Sequence, residues 1–511
     1  MSSDNNKRIA KNTMMLYIRM LLLMVVSLYT SRIVLNTLGV EDYGIYNIVG
    51  GVVILFSFFN SAMANATLRF LAFDIGQENI LQLKRTCSMS INVHIAISII
   101  FIVLTETVGL WFFTSKLNIP DERLNASFWV YQFSITAFVV SIIRVPYDSL
   151  IMARERMSFY AYLSIIEGLL KLGVVFLLND FGFDKLIFYS FLIFLVTLIT
   201  TTLSIIYSAK NFEEIRYYFF WDRILFKRLI SFSGWTMFGS IANVGSNQGT
   251  NILLNIFYGI TVNAAMGIAN QVNNAINGFV QNFQTAFRPQ IVKTYAAGDQ
   301  KYLIQLITQT SKYSFFLLYF LSLPILLNTE LILKIWLINV PDYTVAFVKY
   351  IVVYSLFESI SGPLWMAVQA TGKINKYQII ISFLIISNLW ISLIFLKLGY
   401  SPVVVLWIRI VISLLCLIYR LIFLSRKISL PLKRFILDVP LNILFVVLIS
   451  FSTLFLINIF LPDGFIGFLT ITGISIFVTG ISIYFVGLKN NEREYIRRGI
   501  IKSFNSIKIQ N

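Results

Sequence analysis

The sequence has very few of the residues that bind metals, form disulfide bonds or transfer protons. Among its 511 residues there are one histidine, His94, and two cysteines, Cys87 and Cys416. One histidine cannot form a histidine cluster, and two cysteines far apart in apolar stretches argue against a thiolate metal site or a disulfide framework. We therefore expect no bound metal and no cofactor. For His94 we expect a hydrogen-bonded packing role rather than a proton relay.

Charged residues are also scarce. They make up 13% of the chain, about half of the ~25% that is usual in soluble domains, whereas 57% of the residues are hydrophobic. This composition excludes a soluble enzyme and a disordered chain. Because the apolar residues come in runs of roughly 20, which cross ~30 Å of hydrocarbon, the sequence predicts an all-α polytopic membrane protein. The net charge of +17 then indicates basic cytoplasmic loops and a basic interior rather than nucleic-acid binding.

The apolar runs predict fourteen transmembrane helices joined by short loops. Their approximate bounds are 12–37, 43–68, 87–113, 126–151, 159–178, 185–208, 229–257, 262–287, 303–328, 343–370, 377–396, 401–424, 439–460 and 465–487. An even number of spans places both termini on one side of the membrane. The first run contains Arg19 and Arg32 and lacks a small-residue cleavage site, so we interpret it as a retained helix and not as a signal peptide.

The distribution of Lys and Arg predicts the orientation of these helices. The termini and the loops on their side carry 27 of these cations, and the opposite loops carry five. By the positive-inside rule, this bias places both termini in the cytoplasm.

The chain also contains a weak internal repeat at an offset of about 220 residues. Ile33–Asn36 matches Ile252–Asn255, and Arg69 matches Arg288. Six helices separate the copies, so the repeat predicts two parallel six-helix lobes with a cleft between them. The predicted parts are an N-terminal lobe, a basic interfacial linker, a C-terminal lobe, two additional helices and a basic cytoplasmic tail, at 1–208, 209–228, 229–424, 425–487 and 488–511. The aromatic residues of the linker leave open an interfacial helix or a plain connector.

Spans seven and eight are unusually rich in side-chain amides. The amides recur every three or four residues and therefore share one face of each helix: Asn243, Asn247, Asn251 and Asn255, then Asn270, Asn274, Asn277, Gln281 and Gln284. An amide facing lipid would leave its donors and acceptors unpaired, so these faces contact either protein or water. We favour a wet lumen over interhelical hydrogen bonding. Amides exchange hydrogen bonds readily with sugar hydroxyls, which makes Asn247, Asn251, Asn274 and Gln281 candidates for a sugar path.

Several cations lie inside predicted spans, where each needs a partner, water or a route to the surface. Arg144 with Asp148, and Glu167 with Lys171, are spaced as local ion pairs. Arg409 and Arg420 could extend to the interfaces.

Three of the cations, Arg19, Arg32 and Arg288, have no obvious partner on their own helix. Together with Arg69 they predict a cationic cleft that binds an anion, since arginine holds phosphate through paired hydrogen bonds. Purely structural pairing is the alternative.

Two carboxylates are candidates for ion coupling. Glu358 precedes a predicted helix break at Ser361–Pro363, and Asp148 lies within span four. A buried carboxylate beside a broken helix can bind a cation or take up a proton. Pairing with a nearby Lys or Arg is the alternative for both.

Residues 12–76 resemble the start of the Wzx-type O-antigen flippases, which belong to the multidrug/oligosaccharidyl-lipid/polysaccharide exporter superfamily. The residues that carry the resemblance are Ser27-Leu28-Tyr29-Thr30-Ser31-Arg32, Leu35-Asn36-Thr37-Leu38-Gly39-Val40-Glu41-Asp42-Tyr43-Gly44-Ile45-Tyr46 and Ala66-Thr67-Leu68-Arg69-Phe70. The resemblance implies two lobes around a V-shaped cleft in a bacterial inner membrane. It also implies transport of an undecaprenyl-diphosphate-linked oligosaccharide by alternating access.

In this interpretation Arg19, Arg32, Arg69 and Arg288 hold the diphosphate. A cation gradient (H+ or Na+) resets the carrier, membrane lipids surround it, and glycan polymerase machinery is an expected partner. A lipid II flippase and a multidrug or cation antiporter are the alternatives. A membrane enzyme is disfavoured because the longest external loop, 114–125, is too short to carry a catalytic domain.

The orientation can be tested with reporter fusions in a bacterial host. Green fluorescent protein fused after Asn511 should fluoresce, and alkaline phosphatase fused there should be inactive, because the basic tail is expected to stay in the cytoplasm. The same phosphatase inserted at 117–119 should be active. An active phosphatase after Asn511 would overturn the orientation.

Overall fold

The computed structural model describes residues 14–23, 57–116, 120–178, 184–336, 340–459 and 464–494, together with positions 12, 26, 30, 33, 34, 37, 38, 42, 45 and 46. Within those ranges every regular element is a helix. Parts of the first two predicted spans, including Arg32, lie outside the described residues.

The α-helices are numbered here in chain order. They are α1 Met14–Leu23, α2 Ser57–Gly76, α3 Ile80–Leu104, α4 Leu110–Lys116, α5 Leu124–Ala153, α6 Met157–Leu177, α7 Lys185–Asn211, α8 Arg223–Ala296, α9 Gln300–Leu327, α10 Thr329–Trp336, α11 Thr344–Thr371, α12 Asn375–Lys397, α13 Val404–Ile428, α14 Leu432–Ile436, α15 Asn442–Ile459 and α16 Phe465–Ser482.

The all-α polytopic fold predicted from the sequence is confirmed. Ten helical segments of the described chain are long and apolar enough to cross a membrane. The remaining predicted spans correspond to the two halves of α8, to α2 and to the region of α1, so the helix content is consistent with fourteen spans.

Helix α8 consists of two helical halves joined at one glycine. Its 74 residues would extend about 110 Å as one helix, several times the thickness of a bilayer. The helical course is interrupted at Gly259, where φ is 79° and ψ is −171°. This conformation is open to glycine and strained for residues with a Cβ atom. The predicted loop between spans seven and eight is therefore very short.

The basic linker is a connector and not an interfacial helix. Helix α7 continues to Asn211, a short 3₁₀ turn covers Glu213–Ile215, and the residues that follow have no helical structure up to Asp222. Asp222 caps α8, because its carboxylate accepts hydrogen bonds from the backbone N–H groups of Ile224 and Leu225 at 2.7 and 3.1 Å. Of the two alternatives that the sequence left open, the plain connector is the one observed.

The chain forms two compact units, each with its own interior. Unit 1 comprises Met1–Val244, Thr285–Leu303 and Gln369–Ser382, and unit 2 comprises Gly245–Gln284, Ile304–Val368 and Phe383–Asn511. In unit 1, α5 packs against α2, α3 and α7. The buried Tyr131 of α5 donates a hydrogen bond of 2.7 Å to the carbonyl of Thr105, which begins a π-helical turn that continues α3. The predicted lobes, 1–208 and 229–424, do not coincide with these units. The internal repeat from which they were derived stays a prediction.

In unit 2, side chains from neighbouring helices satisfy the carbonyl groups around Pro363 of α11. Proline has no N–H, so the carbonyl of Ser359, four residues earlier, loses its helical partner. Gln284 replaces that partner, since its Nε2 donates to the Ser359 carbonyl and to the Ser314 hydroxyl, both at 3.0 Å. Arg420 donates to the carbonyl of Ser361 at 3.0 Å. Helix α11 therefore continues to Thr371, and the predicted break at 361–363 is wrong.

Gln284→Met should lower the stability of the protein in detergent. The substitution keeps the length of the side chain but leaves the buried carbonyl of Ser359 without a donor, which costs about 1–3 kcal/mol. We expect a lower melting temperature by differential scanning fluorimetry. Gln271→Met is the matched control, because Gln271 is an exposed residue of the same helix. Equal melting temperatures for the two variants would refute this role of Gln284.

Candidate functional site

Unit 1 contains a polar cavity of about 590 Å³ between its helices. Three cationic and two carboxylate side chains line it, together with uncharged polar groups. Its polar lining includes Arg19, Thr30, Asn60, Ser141, Arg144, Asp148, Tyr160, Ser164, Glu167, Lys171 and Tyr189. The volume lies in the range of pockets that bind small molecules.

Most of the charges in this cavity form one ion-pair network. Arg144 Nε lies 2.8 Å from Asp148 Oδ2, and Arg144 Nη1 lies 3.4 Å from Glu167 Oε2. Lys171 Nζ lies 2.8 Å from Glu167 Oε1. Both ion pairs predicted from the i,i+4 spacing are confirmed. Asp148, a candidate for ion coupling, also accepts a hydrogen bond from the hydroxyl of Ser204. Its carboxylate therefore already has two partners, Arg144 and Ser204.

Arg19 is the charged residue of the cavity lining that takes no part in this ion-pair network. Its guanidinium lies over the ring of Tyr160, with 4.8 Å between the guanidinium carbon and the ring centroid. Within the described ranges, Arg19 Nε has no hydrogen-bond partner, and no carboxylate forms an ion pair with this side chain. The lining therefore has one more cation than carboxylates. Such a cavity favours an anion, because a buried unpaired charge is costly.

A second cluster in unit 1 brings Arg69 and Arg288 together at Gln369. Arg288 donates to Asn65 Oδ1 at 2.6 Å and to Gln369 Oε1 at 2.9 Å. Arg69 donates to the backbone carbonyls of Gln369 at 2.9 Å and Ala370 at 3.1 Å. These acceptors are amides and carry no charge. The positive charge of Arg288 is therefore not compensated by an ion pair with any described carboxylate.

The two arginines of this cluster differ in their surroundings. Arg69 is 8% exposed and packs against the rings of Phe70 and Phe232. It binds carbonyl groups in the last turn of α11, as a cation at a helix C-terminus does. Gly372 follows that turn with φ at 71°, and a Cβ atom there would overlap the Arg69 guanidinium. Arg69 therefore anchors the end of α11, whereas Arg288 is only half-buried and bonds to flexible side chains.

The amides of α8 fall into two groups. Asn247, Asn274 and Gln281 are exposed, and Asn251 is half-buried. Asn277, in contrast, donates to Asn273 Oδ1 at 2.9 Å and to Ser355 Oγ at 3.0 Å. The buried Gln284 holds α11, and the side chain of Asn255 lies outside the described residues. The interhelical hydrogen bonds of Asn277 and Gln284 thus account for part of the second row, and three of the four sugar-path candidates are exposed.

The remaining charged candidates have individual partners. Glu358 is half-buried and accepts a hydrogen bond from the hydroxyl of Ser413. Arg409 lies over the ring of Tyr354 at 4.2 Å. Arg420 is 8% exposed and bonds inside the protein, so the expectation that it reaches an interface is wrong. In the described part of the chain, no group of three or more His, Cys, Asp or Glu side chains is placed to hold a metal ion.

The in-span cation Lys312 has a partner beyond α16. Its ammonium lies 2.7 Å from Glu492 Oε2, and both side chains are buried. Burial raises the pKa of Glu492, but hydrogen bonds from Lys312 and from the Lys489 N–H outweigh that effect and hold this pKa below its ordinary value. This ion pair holds the start of the tail against α9.

The sequence did not single out Asn60, Asn65, Tyr160 or Gln369, although each belongs to one of the two clusters. The sequence could have identified Asn60, Asn65 and Gln369, because each is a side-chain amide in an apolar span, where an unpaired amide is costly. Tyr160 has no comparable signal, since aromatic residues are abundant throughout the chain.

Comparisons with known proteins place this fold among MATE transporters. No protein-family model matches the sequence, and no curated protein matches it. A crystal structure of a MATE point mutant has a TM-score of 0.71 and 13% sequence identity, over 83% of this chain and 96% of that one. An outward-facing multidrug resistance MATE family transporter of the MOP superfamily has a TM-score of 0.69 and 12% identity, over the same shares of the two chains.

A third similar structure is that of a MOP superfamily transporter from Pyrococcus furiosus, described as having a binding pocket of reverse polarity that suggests a different function. Its TM-score is 0.68 and its identity 12%, over 83% of this chain and 96% of that chain. At these identities the comparisons show a shared fold.

Removing the carboxylate of Glu167 should destabilise the protein. Glu167→Gln leaves Arg144 and Lys171 with less compensation inside the cavity, and we expect a loss of about 2–3 kcal/mol and a lower melting temperature. The matched control is Glu330→Gln, which breaks the exposed i,i+4 pair with Lys334 and should change the stability by less than about 0.5 kcal/mol. Equal effects of the two substitutions would show that the cavity network does not stabilise unit 1.

Proposed function

We propose that the chain is an alternating-access transporter of the MOP superfamily that carries a lipid-linked oligosaccharide across the cytoplasmic membrane. The MATE-like fold supports transport, and the chemistry of the polar clusters supports the cargo. The observation that carries the proposal is the pair of neutral acceptors on Arg288. A guanidinium held by amides keeps its charge available to an incoming diphosphate, which exchanges two hydrogen bonds to neutral oxygens for two hydrogen bonds to anionic oxygens.

The roles in this proposal follow from the surroundings of each residue. Arg288 is the first contact for the diphosphate, since Asn65 and Gln369 can release it without leaving a charge unpaired. Arg69 holds the end of α11, and Arg19 adds positive charge in the polar cavity. Arg32 keeps its proposed role in diphosphate binding on sequence grounds alone.

The exposed amides support the sugar part of the cargo. In a span surrounded by hydrocarbon, an exposed amide needs water or a polar ligand. Asn247 and Asn274 meet that condition, Gln281 keeps its proposed place in the sugar path from the sequence, and an oligosaccharide presents the hydroxyl groups that amides recognise. Asp148 and Glu358 remain the proposed groups for coupling to H+ or Na+. The glycan polymerase machinery remains the proposed partner, and a lipid II-type precursor is a closely related alternative cargo.

Multidrug export is the second candidate function, and the names of the similar structures favour it. A cationic drug would need free carboxylates. In the polar cavity both carboxylates, Asp148 and Glu167, are already paired with Arg144 and Lys171. This pairing leaves no free carboxylate for a drug-sized organic cation and favours the anionic cargo.

The test is transport of a lipid-linked oligosaccharide by the full chain in proteoliposomes. Arg288→Gln should lower the initial rate roughly tenfold or more, because each charge-assisted hydrogen bond contributes about 1.5–3 kcal/mol. Arg288→Lys should retain an intermediate rate, and Arg409→Gln, which removes a cation of unit 2, should retain the full rate.

An unchanged rate in Arg288→Gln at matched protein level would contradict the diphosphate role. Export of a cationic dye that competes with the glycolipid would instead establish the multidrug function.

A further inference from the structure

One junction in unit 1 joins segments of the chain that the sequence assigns to different lobes. Arg288 of α8 donates to Asn65 of α2 and to Gln369 of α11. In addition, Lys293 Nζ of α8 lies 2.7 Å from Glu155 Oε1, in the turn between α5 and α6. Helix α2 and this turn belong to the predicted N-terminal lobe, whereas α8 and α11 belong to the predicted C-terminal lobe. These three contacts are the latch.

Beside the latch, α2 and α8 approach each other closely at the last residue of α2. A Cβ atom on Gly76 would lie 2.6 Å from the backbone oxygen of Lys293 and 2.8 Å from Ala296 Cβ. Because real Cβ atoms do not come so near to other atoms, only glycine allows this approach. The sequence is therefore adapted to hold these two helices together at this end.

The carboxylate of the latch is held by an unusual backbone conformation. Glu155 follows the end of α5 with φ at 59°, a position and a conformation in which glycine is usual. The N–H groups of Glu155 and Arg156 donate to the carbonyls of Met152 and Ile151, at 2.9 and 3.0 Å. The side chain of Glu155 is fully buried, and separating Lys293 from a buried carboxylate is costly. The ion pair therefore resists opening, and strained residues of this kind cluster at switch regions.

The latch lies at the end of the helices that the positive-inside rule assigns to the cytoplasm. Arg154 and Arg156 flank Glu155, and Lys373 follows the end of α11. In an alternating-access carrier, contacts between the two lobes at this end have to break before cargo can enter from the cytoplasm. Some event must therefore release the latch each time that cargo is taken up.

We infer that the diphosphate of the cargo itself opens the latch, because the diphosphate and the latch compete for the two Nη groups of Arg288. Arginine binds phosphate through two parallel hydrogen bonds. Both Nη groups of Arg288 are engaged by the latch, one by Asn65 Oδ1 at 2.6 Å and the other by Gln369 Oε1 at 2.9 Å. A diphosphate that takes these groups displaces both amides and detaches α8 from α2 and α11.

The surroundings of Arg288 permit this exchange. Arg288 and Asn65 are half-buried, so an anion can reach the guanidinium, whereas Gln369 is 3% exposed. The diphosphate replaces hydrogen bonds to neutral oxygens with hydrogen bonds to anionic oxygens. That gain is available to offset the cost of separating Lys293 from Glu155. This inference rests on the proposed function for its ligand, and it adds that the latch closes only after the diphosphate has left Arg288.

The test is hydrogen–deuterium exchange of the full chain in phosphatidylcholine nanodiscs, measured by mass spectrometry. The probe is a short-chain polyprenyl diphosphate, and its control is the polyprenol of the same length without phosphate. The diphosphate should speed the exchange of backbone amides in 66–76 and 288–296 by roughly fivefold or more, since both helix ends lose their neighbours. The polyprenol should change neither segment, and exchange in α15 should stay the same with both compounds.

Three substitutions separate the latch from the ligand site. Arg288→Met removes both latch bonds and the phosphate-binding group, so exchange should be fast without ligand and should not respond to the diphosphate. Glu155→Gln and Gly76→Ala weaken the closed junction but keep Arg288. Their exchange should be faster without ligand, and the diphosphate should act at lower concentration, because less binding free energy goes into opening. The matched controls are Glu330→Gln, at an exposed ion pair, and Gly173→Ala, where an added Cβ atom meets no other atom within 4 Å; both should exchange as the unchanged chain does.

Unchanged exchange at every diphosphate concentration would overturn the inference, and so would slow exchange in unliganded Arg288→Met. Gly76→Ala keeps every charge and tests the latch on its own if Glu155→Gln does not fold. The outcome is separable from the proposed function. Faster exchange with the diphosphate in a chain that transports no lipid-linked oligosaccharide would refute the proposed function alone. Loss of transport in Arg288→Gln, with no effect of the diphosphate on exchange in the unchanged chain, would refute the latch alone.

Discussion

The structure depends on one constraint, which is that a polar group surrounded by hydrocarbon must find its partner inside the protein or in enclosed water. The chain meets this constraint in three ways. Opposite charges pair, as Arg144 does with Asp148, and amides bridge helices, as Gln284 does at Pro363. Cations also bind backbone carbonyls, as Arg69 does at the end of α11. Functional candidates are the groups that remain after these partners have been assigned.

This order of assignment separates residues that look alike in the sequence. Arg69 and Arg288 occupy equivalent positions of the predicted repeat, yet Arg69 binds the end of a helix and Arg288 is held by two side-chain amides. The same holds for the amides of α8, where Asn277 and Gln284 bond to neighbouring helices and Asn247 and Asn274 are exposed. The residue type of a polar side chain therefore says less about a role in ligand binding than do the hydrogen bonds that the side chain would have to break to bind a ligand.

Much of the fold could be predicted from the sequence because hydrocarbon imposes a length and an apolar composition on each span. The ion pairs Arg144–Asp148 and Glu167–Lys171 could be predicted because spacing on one helix fixes their distance. Partners from distant segments could not be predicted: the contact of Arg288 with Gln369 joins residues 81 positions apart, and that of Lys312 with Glu492 joins residues 180 apart. The helix through Pro363 was missed for the same reason, since Gln284, which replaces the lost backbone donor, comes from α8.

The turn at Gly259 has a consequence for the two rows of amides on α8. Because a single residue interrupts the helical course, the two halves of α8 have no loop between them that could lengthen or shorten. Asn247 and Asn251 precede this turn, and Asn274 and Gln281 follow it. Any change in the distance between the two rows therefore has to come from rotation about this one glycine.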